Sequence, residues 1–473
     1  RAKELVTKTG FTGNNPYSAY PRKERIKFTI QVKDDVTGTY VPKTAYLDMI
    51  QVRRIENPKG VWRSAGKSDN FHVTLMRLPY DDAEDFKPFN SEGAWSATIV
   101  EGGDDFITLR STVEGSGSDN AQQTGVKSIE GAGEHPIDFW IDFKGTIAEN
   151  STPRCAIVRV RYHNYTCEHD IYVRQGYAPI TIDGNAESDK NPAWASYNVY
   201  CFDANNAPVY TKSPLEEGSL FRRGNRTAIL ASNNDRPGFT FGLGPSGSFD
   251  VLELGATTPS QKTWSQLAPS ADDVKSRFAS WSIAGDHERI ATIEDFYTLE
   301  STSIHSNINK AYGVLYGDGA TETQKSVKEA FGYDHNEDPT NSKKGMRGCF
   351  VFNINNSHNI FFPIGKSGYG RRKGMTSNGE KVGALRYAQR TDYYNNDGTG
   401  NIQYVPLFYD LFERPGAIYQ CRNRLSSTGS DVKKSSAFDI NYFTMGFEGF
   451  ENGASNNSDG SDSDACFIRT VKY

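Results

Sequence analysis

The chain is short of the residues that most often announce a chemistry. Its 473 residues hold six cysteines, Cys155, Cys167, Cys201, Cys349, Cys421 and Cys466, with no Cys-x-x-Cys pair. A zinc ribbon or a thioredoxin-type redox centre has no frame to form on. The eight histidines are scattered without His-Glu-x-x-His spacing, and no Gly-x-Ser-x-Gly elbow occurs, so the local signatures of a zinc protease and a serine hydrolase are missing. No apolar run approaches the length of about 18 residues that a membrane-spanning helix needs. Neither sign of charge dominates: 53 Lys and Arg stand against 58 Asp and Glu, for a net charge of −5. Nucleic-acid binding calls for a concentrated basic face, so no nucleic-acid partner is expected. There is no internal repeat, and low complexity is confined to 452–464.

What the chain does have is β-forming material. It carries 25 Tyr, 27 Phe and 44 Gly, a balance that suits a β-rich, loop-rich surface protein. Residues 1–25 read as a polar, extended lead-in. The N-terminal RAKELVTKTGF lacks the apolar stretch of an export signal, and the sequence is expected to be the mature or trimmed form of an exported chain. Apolar residues then alternate over 26–32, 46–52, 71–78, 95–100 and 106–113. In IDFWIDF (137–143) Ile137, Phe139, Ile141 and Phe143 face one way, Asp138 and Asp142 the other. One apolar and one wet face per strand predicts an antiparallel sandwich. Residues 155–182 read as a hairpin turning at 163–166, which sets Cys155 opposite about residue 174. A Cys155–Cys167 bridge is then out of reach, since paired Cα atoms must lie within about 7 Å. Three disulfides elsewhere and buried free thiols are both compatible with the even count.

The polar stretch DGNAESDKN (183–191), closed by Pro192, reads as a linker. The expected division is a β-sandwich region at 1–182 and an α+β domain at 192–473. The second part is organised around GCFVFNINNSHNIFFPIGKSGYGRR (348–372), two apolar runs flanking an Asn-rich turn. A strand is expected over 466–471, with Phe467 and Val471 facing a core and Arg469 wet. Helices are few. Thr292 can cap a helix over 293–299, with Asp295 at its third position, and Thr321-x-x-Gln324 can cap another.

Several constellations are weak. Gly242-x-Gly244-x-x-Gly247 has the letters of a dinucleotide fingerprint, but 249–254 reads as a strand where a helix is needed. Gly365-Lys366-Ser367 has Ile360 where a phosphate loop needs its first glycine. Asp459, Asp462 and Asp464 could gather oxygen ligands, but Thr470 stands where an EF-hand needs Glu, and a solvated polar loop is the favoured reading. Neighbouring carboxylates such as Asp104-Asp105 lie in turn-like polar context, and adjacent side chains on a strand would point to opposite faces, a poor arrangement for acid–base work. No cofactor is expected and the chain is read as a non-enzyme. The contact candidates are Lys366, Tyr369, Arg371 and Arg372, a basic aromatic loop suited to an anionic or sugar-bearing partner, with plain solvated charges as the alternative.

Three pieces carry a family resemblance. "Phe-Phe-Pro…Gly-Tyr-Gly-Arg", a following Leu-Arg-Tyr strand and a closing "Cys-Phe-Ile-Arg-Thr-Val" strand resemble the Fibrobacter succinogenes major paralogous domain, which is related to C-type-lectin-like folds. The sequence departs from that family at 384–387, where a Trp-Ser-rich strand is usual. "Ile-Val-Arg-Val-Arg-Tyr…Asp-Ile-Tyr-Val-Arg-Gln-Gly" resembles the last hairpin of Ig-like or transthyretin-like sandwich modules in Bacteroidetes surface proteins. SPLEEGSLFRRGN (213–225) resembles a motif that precedes the C-terminal domain of Bacteroidetes fimbrial accessory proteins. These resemblances imply a secreted, surface-exposed accessory or tip subunit of a fimbria. Its role would be adhesion, its partners other fimbrial subunits and a host protein or glycan, and its assembly strand exchange. The competing class is a glycan-binding lipoprotein of a polysaccharide-uptake system. Such modules present coplanar exposed Trp, whereas Trp62, Trp95, Trp140 and Trp194 are interleaved with strand residues. An enzyme of the sulfatase-modifying fold would need a reactive Cys pair, and no two Cys are close in sequence.

Overall fold

The computed structural model describes residues 22–51, 56–77, 86–112, 123–222 (134 apart), 225–230, 248–267 (264 apart), 287–300, 307–325, 344–363 and 464–473, with short strands between 371 and 449. The chain is β-rich, as its composition predicts. Contacts divide it into two units, Arg1–Ile55 and Glu56–Tyr473.

In the first unit, strands β1 (Arg22–Lys33) and β2 (Tyr40–Gln51) form a two-stranded antiparallel ribbon, in register from Arg22↔Gln51 to Lys33↔Tyr40. Its tip is tied by Asp34. The Asp34 carboxylate accepts the Val36 and Thr37 N–H groups at 3.0 and 2.8 Å and the Thr37 hydroxyl at 3.0 Å. Gly38 sits at φ +66°, where a side chain would be strained. The alternation over 26–32 is therefore real, but among the described residues β1 pairs with β2 alone rather than joining a sandwich.

The second unit is built on a mixed eight-stranded sheet. Its order is Ser128–Gly131, Trp95–Gly102, Arg154–Tyr162, Cys167–Gln175, Gly60–Arg63, Ile308–Tyr316, Gly345–Asn353, Asn359–Pro363. Gly60–Arg63 lies in the middle, parallel to both neighbours, and all four of its residues are buried. Gly60 has no room for a side chain, because the Phe350 ring lies against it. The expected hairpins are present. Cys155 lies opposite Arg174 and Tyr162 opposite Cys167, so Cys155 and Cys167 stand at opposite ends of their ladder and both are free thiols. Gly348 pairs with Pro363 and Phe352 with Asn359. That second hairpin buries Phe350, Val351, Ile360, Phe361 and Phe362 completely. Each contributes about 1.5–3 kcal/mol of transfer free energy.

A three-stranded sheet of Phe71–Thr74, Asp138–Phe143 and Ile107–Ser111 turns Phe139, Ile141 and Phe143 inward. Phe139 meets Trp95 of the large sheet at 6.1 Å between ring centroids, giving a sandwich-like packing at that end. Trp62, Trp95 and Trp194 are buried. Trp140 is half-buried on the outer face, stacked on His72 at 4.5 Å with Arg110 at 4.6 Å.

Two expectations change. The first is the division at 183–191. Strands from both sides of it share the large sheet, and the stretch is stitched down. Asp183 accepts from Asn185 and from Asn191 Nδ2 at 2.7 Å, and Asn353 Nδ2 donates to Ile182 O at 3.2 Å. It is a fastened loop inside Glu56–Tyr473. The second is Arg469. The chain end splits into Asp464–Cys466, in a six-stranded sheet, and Thr470–Lys472, paired between Ala193–Trp194 and Glu288–Ile290. Between them Arg469 is fully buried, not wet, because backbone carbonyls supply acceptors that a polar-outside pattern does not count. The capped helix appears as Ile293–Glu300, with Asp295 N–H donating to Thr292 Oγ1 at 3.2 Å. The helix expected after Thr321 lies outside the described residues.

Candidate functional site

Two features of the molecule are suited to binding. One is a cleft in the second unit, the other the ribbon of the first.

The cleft begins with buried arginines. A guanidinium removed from water needs its N–H groups satisfied, or the desolvation cost stands uncompensated. Arg174 meets this chiefly with carbonyls: its Nε donates to Gly176 O at 3.0 Å, Nη1 to Asn359 O at 2.8 Å and Nη2 to Ala178 O at 2.6 Å and Ser196 Oγ at 2.8 Å. Its plane lies 4.7 Å over the Trp62 ring. Arg469 works the same way from the chain end, donating to Asn198 Oδ1 at 2.7 Å, Ala195 O at 2.8 Å and Phe361 O at 3.0 Å. Burial pulls both arginines below their ordinary pKa, yet guanidinium stays protonated at any physiological pH. Residues 176–178 and 195–198 are therefore held by two rigid forks.

Those segments wall a cleft of about 460 Å³, within the usual span of small-molecule sites. Tyr177, Tyr197 and Tyr210 line it together with Ser64, Gly66, Glu149, Glu288 and Lys472. Tyr177 and Tyr197 meet edge to face at 5.4 Å, and Tyr197 and Tyr210 tilt together at 6.5 Å. Burial raises the pKa of Tyr177 and Tyr197, so both hydroxyls stay neutral donors. The Tyr177 hydroxyl is buried with no hydrogen-bond partner among the described residues. Glu288 is engaged. It accepts from the Tyr210 hydroxyl and from Thr470 Oγ1, the latter at 2.9 Å, and Lys472 is its cross-strand neighbour. Burial still pushes the Glu288 carboxyl above its ordinary pKa, against the Thr470 bond and the Lys472 charge.

The ribbon is simpler. Ile26, Phe28, Ile30 and Val32 share one face of β1 and are 38, 49, 62 and 37 % exposed. Among the described residues both outer edges of the ribbon are unpaired. Asp34 N–H bonds Thr39 O at 2.8 Å. Bonded and non-bonded pairs alternate down an antiparallel ladder, so the N–H groups of Phe28, Ile30 and Val32 face β2 and those of Lys27, Thr29 and Gln31 face the open edge.

Of the residues singled out in the sequence, Lys366, Tyr369, Asp459 and Asp462 lie outside the described residues. Arg371 and Arg372 fall in the strand Arg371–Lys373, opposite Val382 and Lys381. Asp464 opens the strand Asp464–Cys466, opposite Arg386. Among the described residues no cluster of His, Cys, Asp and Glu could hold a metal ion, and no helix is long and apolar enough to cross a membrane. The cleft is not legible in the sequence, since Tyr177, Ser196, Tyr210, Glu288 and Lys472 come from segments with no shared motif. A faint signal is the placing of Arg174 and Arg469 in otherwise apolar strand ends. No protein-family model matches the chain, and no curated protein sequence matches it.

Proposed function

We propose that this is a secreted cell-surface interaction protein, an accessory or tip subunit of a fimbria that serves adhesion and joins its neighbours by strand exchange. The observation that supports this reading is the ribbon. Four large apolar side chains in a row stand exposed on a two-stranded sheet whose edges, among the described residues, are open. Two strands alone rarely hold together in water without a further surface to pack on. An open edge offers backbone donors and acceptors to a neighbour's extended segment, and the apolar row offers it side-chain pockets at every second residue. The occupant this reading assigns is a strand of another fimbrial subunit. The motif likenesses at 155–182, 213–225 and 348–372 point to the same class of protein.

The test separates the edge from the ribbon itself. Gln31→Pro deletes an N–H facing the open edge, and Pro42 already stands opposite Gln31 without harm to the ladder. Phe28→Pro deletes an N–H facing β2. In pull-downs from surface extracts the unaltered chain should bring down fimbrial subunits, and recovery should persist at high salt, because backbone pairing and apolar burial carry the contact. Both proline variants should lose that recovery. Undiminished recovery with both variants would refute strand exchange through the ribbon. Retention on a glycan column with no fimbrial subunit recovered would favour the polysaccharide-uptake class instead.

A further inference from the structure

We infer that the tyrosine-walled cleft is a binding site for a neutral sugar residue, held without a metal ion. The inference rests on the second unit alone and stands or falls apart from strand exchange through the ribbon.

The lining sets the ligand's chemistry. A pyranose presents C–H faces that pack on aromatic rings and a rim of hydroxyls that both donate and accept. Tyr177, Tyr197 and Tyr210 supply the rings. Ser64, Ser196, Glu149 and Glu288 supply polar groups around them. Ser196 Oγ already accepts from Arg174, so its own hydrogen is directed elsewhere, as a donor. The Tyr177 hydroxyl is itself buried with no partner among the described residues, so Tyr177 offers the cleft its ring and not its hydroxyl.

The charges exclude the other classes. An anion finds two carboxylates and one lysine at the cleft. The arginines behind the wall do not help it, since Arg174 and Arg469 turn their forks to acceptors of the protein itself, among them Gly176 O, Asn359 O, Ala195 O and Phe361 O. A cation would need an unengaged carboxylate deep in the cleft. Glu288 is occupied by Tyr210 and Thr470 and faces Lys472, while Glu149 is exposed at the rim. A purely apolar ligand would leave the Ser196 hydroxyl hydrogen, whose oxygen already accepts from Arg174, without an acceptor. What remains is an uncharged, hydroxyl-rich molecule with an apolar face. The arginine forks fix the wall of residues 176–178 and 195–198 beforehand, so less ordering is left for the ligand to bring about.

The experiment is saturation-transfer NMR on the full chain with methyl glycosides of glucose, galactose, mannose and N-acetylglucosamine, at millimolar concentration in chelator, with butylammonium and inorganic sulfate as charged controls. At least one glycoside should receive saturation, and neither control should. Two variants locate the site. Gly66 lines the cleft, and a Cβ at that position would meet no atom within 4 Å. Gly66→Phe should therefore block the mouth without disturbing the core and weaken binding at least 10-fold. Tyr177→Phe keeps the ring in the wall and removes only the buried, unpartnered hydroxyl. It should leave the thermal midpoint level or higher and binding unchanged to within about 3-fold. No transfer to any glycoside, binding indifferent to Gly66→Phe, or binding of butylammonium or sulfate in place of the sugars would each overturn the inference.

Discussion

Arg174 Nη2 sits 2.8 Å from Ser196 Oγ and 2.6 Å from Ala178 O, so one guanidinium joins two segments 18 residues apart that the Ile180–Trp194 bridge sets side by side in the cleft wall. The link from sequence to site runs through this residue. Arg174 belongs to the strand Cys167–Gln175, and its partner across the ladder is Cys155. The strand fixes the Cα, Trp62 fixes the plane of the fork, and the fork fixes residues 176–178 and 196. A loop that would otherwise wander over the surface is tied to the core by a charge that has nowhere else to go.

Replacing that fork should therefore cost more than a single contact. Arg174→Met leaves four acceptors unserved, three of them carbonyls, and each orphaned buried group costs about 1–3 kcal/mol. A total loss of about 3–5 kcal/mol is expected, because the loops relax to recover part of it. Arg174→Lys should do little better, since an ammonium cannot reach acceptors spread along a planar fork. Urea midpoints check this, and a Lys variant as stable as the unaltered chain would show that the fork geometry is unimportant.

The helix Ile293–Glu300 offers a second, independent test. The Asp295 carboxylate accepts the Thr292 N–H at 2.7 Å and both Nη groups of Arg289, with Nη2 at 3.0 Å. Asp295 is thus helix cap and buried counter-charge at once. Thr292→Ala should cost about 1 kcal/mol, the worth of a cap. Asp295→Asn keeps a cap acceptor but leaves Arg289 only the exposed Asp189 carboxylate, 3.5 Å away, as a charge partner, and should cost up to about 3–5 kcal/mol. If Asp295→Asn costs no more than Thr292→Ala, the ion pair carries nothing beyond the cap.

Legibility follows the range of the interaction. The hairpins at 155–175 and 349–363 can be read because their alternation and turn residues lie within one short window, and the Thr292 cap because its partner is three residues on. Gly60–Arg63 cannot. It is buried on both faces and shows no alternation, and both its ladders are parallel, closed by partners more than 100 residues away. The same limit hides the joint between the two halves of Glu56–Tyr473, which makes a polar loop look like a linker. Arg469 escapes the pattern for a different reason. A charged residue in an alternating strand reads as outward-facing, and only the fold reveals that Ala195 O and Phe361 O are waiting for it. The cleft inherits all of these blind spots, since its walls are fixed by Arg174 and Arg469.

Glu288 gives the cleft a pH signature. Its folded pKa is raised, chiefly by burial, so the folded chain holds the proton more tightly than the unfolded chain. Its contribution to stability is full below the ordinary value of 4.5. It is lost as pH rises through the folded pKa, and at neutral pH the buried carboxylate is a cost. Glu288→Gln mimics the protonated form at every pH and can still accept from Tyr210 and Thr470. The variant should match the unaltered chain in thermal midpoint under acid conditions and exceed it near neutrality. A midpoint difference that is flat with pH, or that shrinks toward neutrality, would mean the carboxylate is better solvated than its surroundings indicate.

The last prediction concerns how the chain can be divided. If 183–191 were a linker, residues 190–473 would fold when expressed alone. The large sheet argues otherwise. Removing everything before 190 takes away Gly60–Arg63, the parallel partner of Ile308–Tyr316, and leaves that strand's edge open. It removes Trp62, whose Nε1 donates to Asn359 Oδ1 at 3.0 Å, and Arg63, which donates to Gly317 O and Ala320 O at 2.7 Å each. It also removes Arg174, and with it the bond to Asn359 O. Phe350, Phe361 and Leu315, now packed with Trp62, Ile157 and Tyr172, would face water. The fragment 190–473 should therefore be insoluble or molten, whereas 56–473 should melt cooperatively and close to the full chain. A nick introduced at 183–191 should leave the two pieces together through gel filtration. A well-folded monomeric 190–473 with sharp amide resonances would show that the two halves are separate domains and that the shared sheet is dispensable.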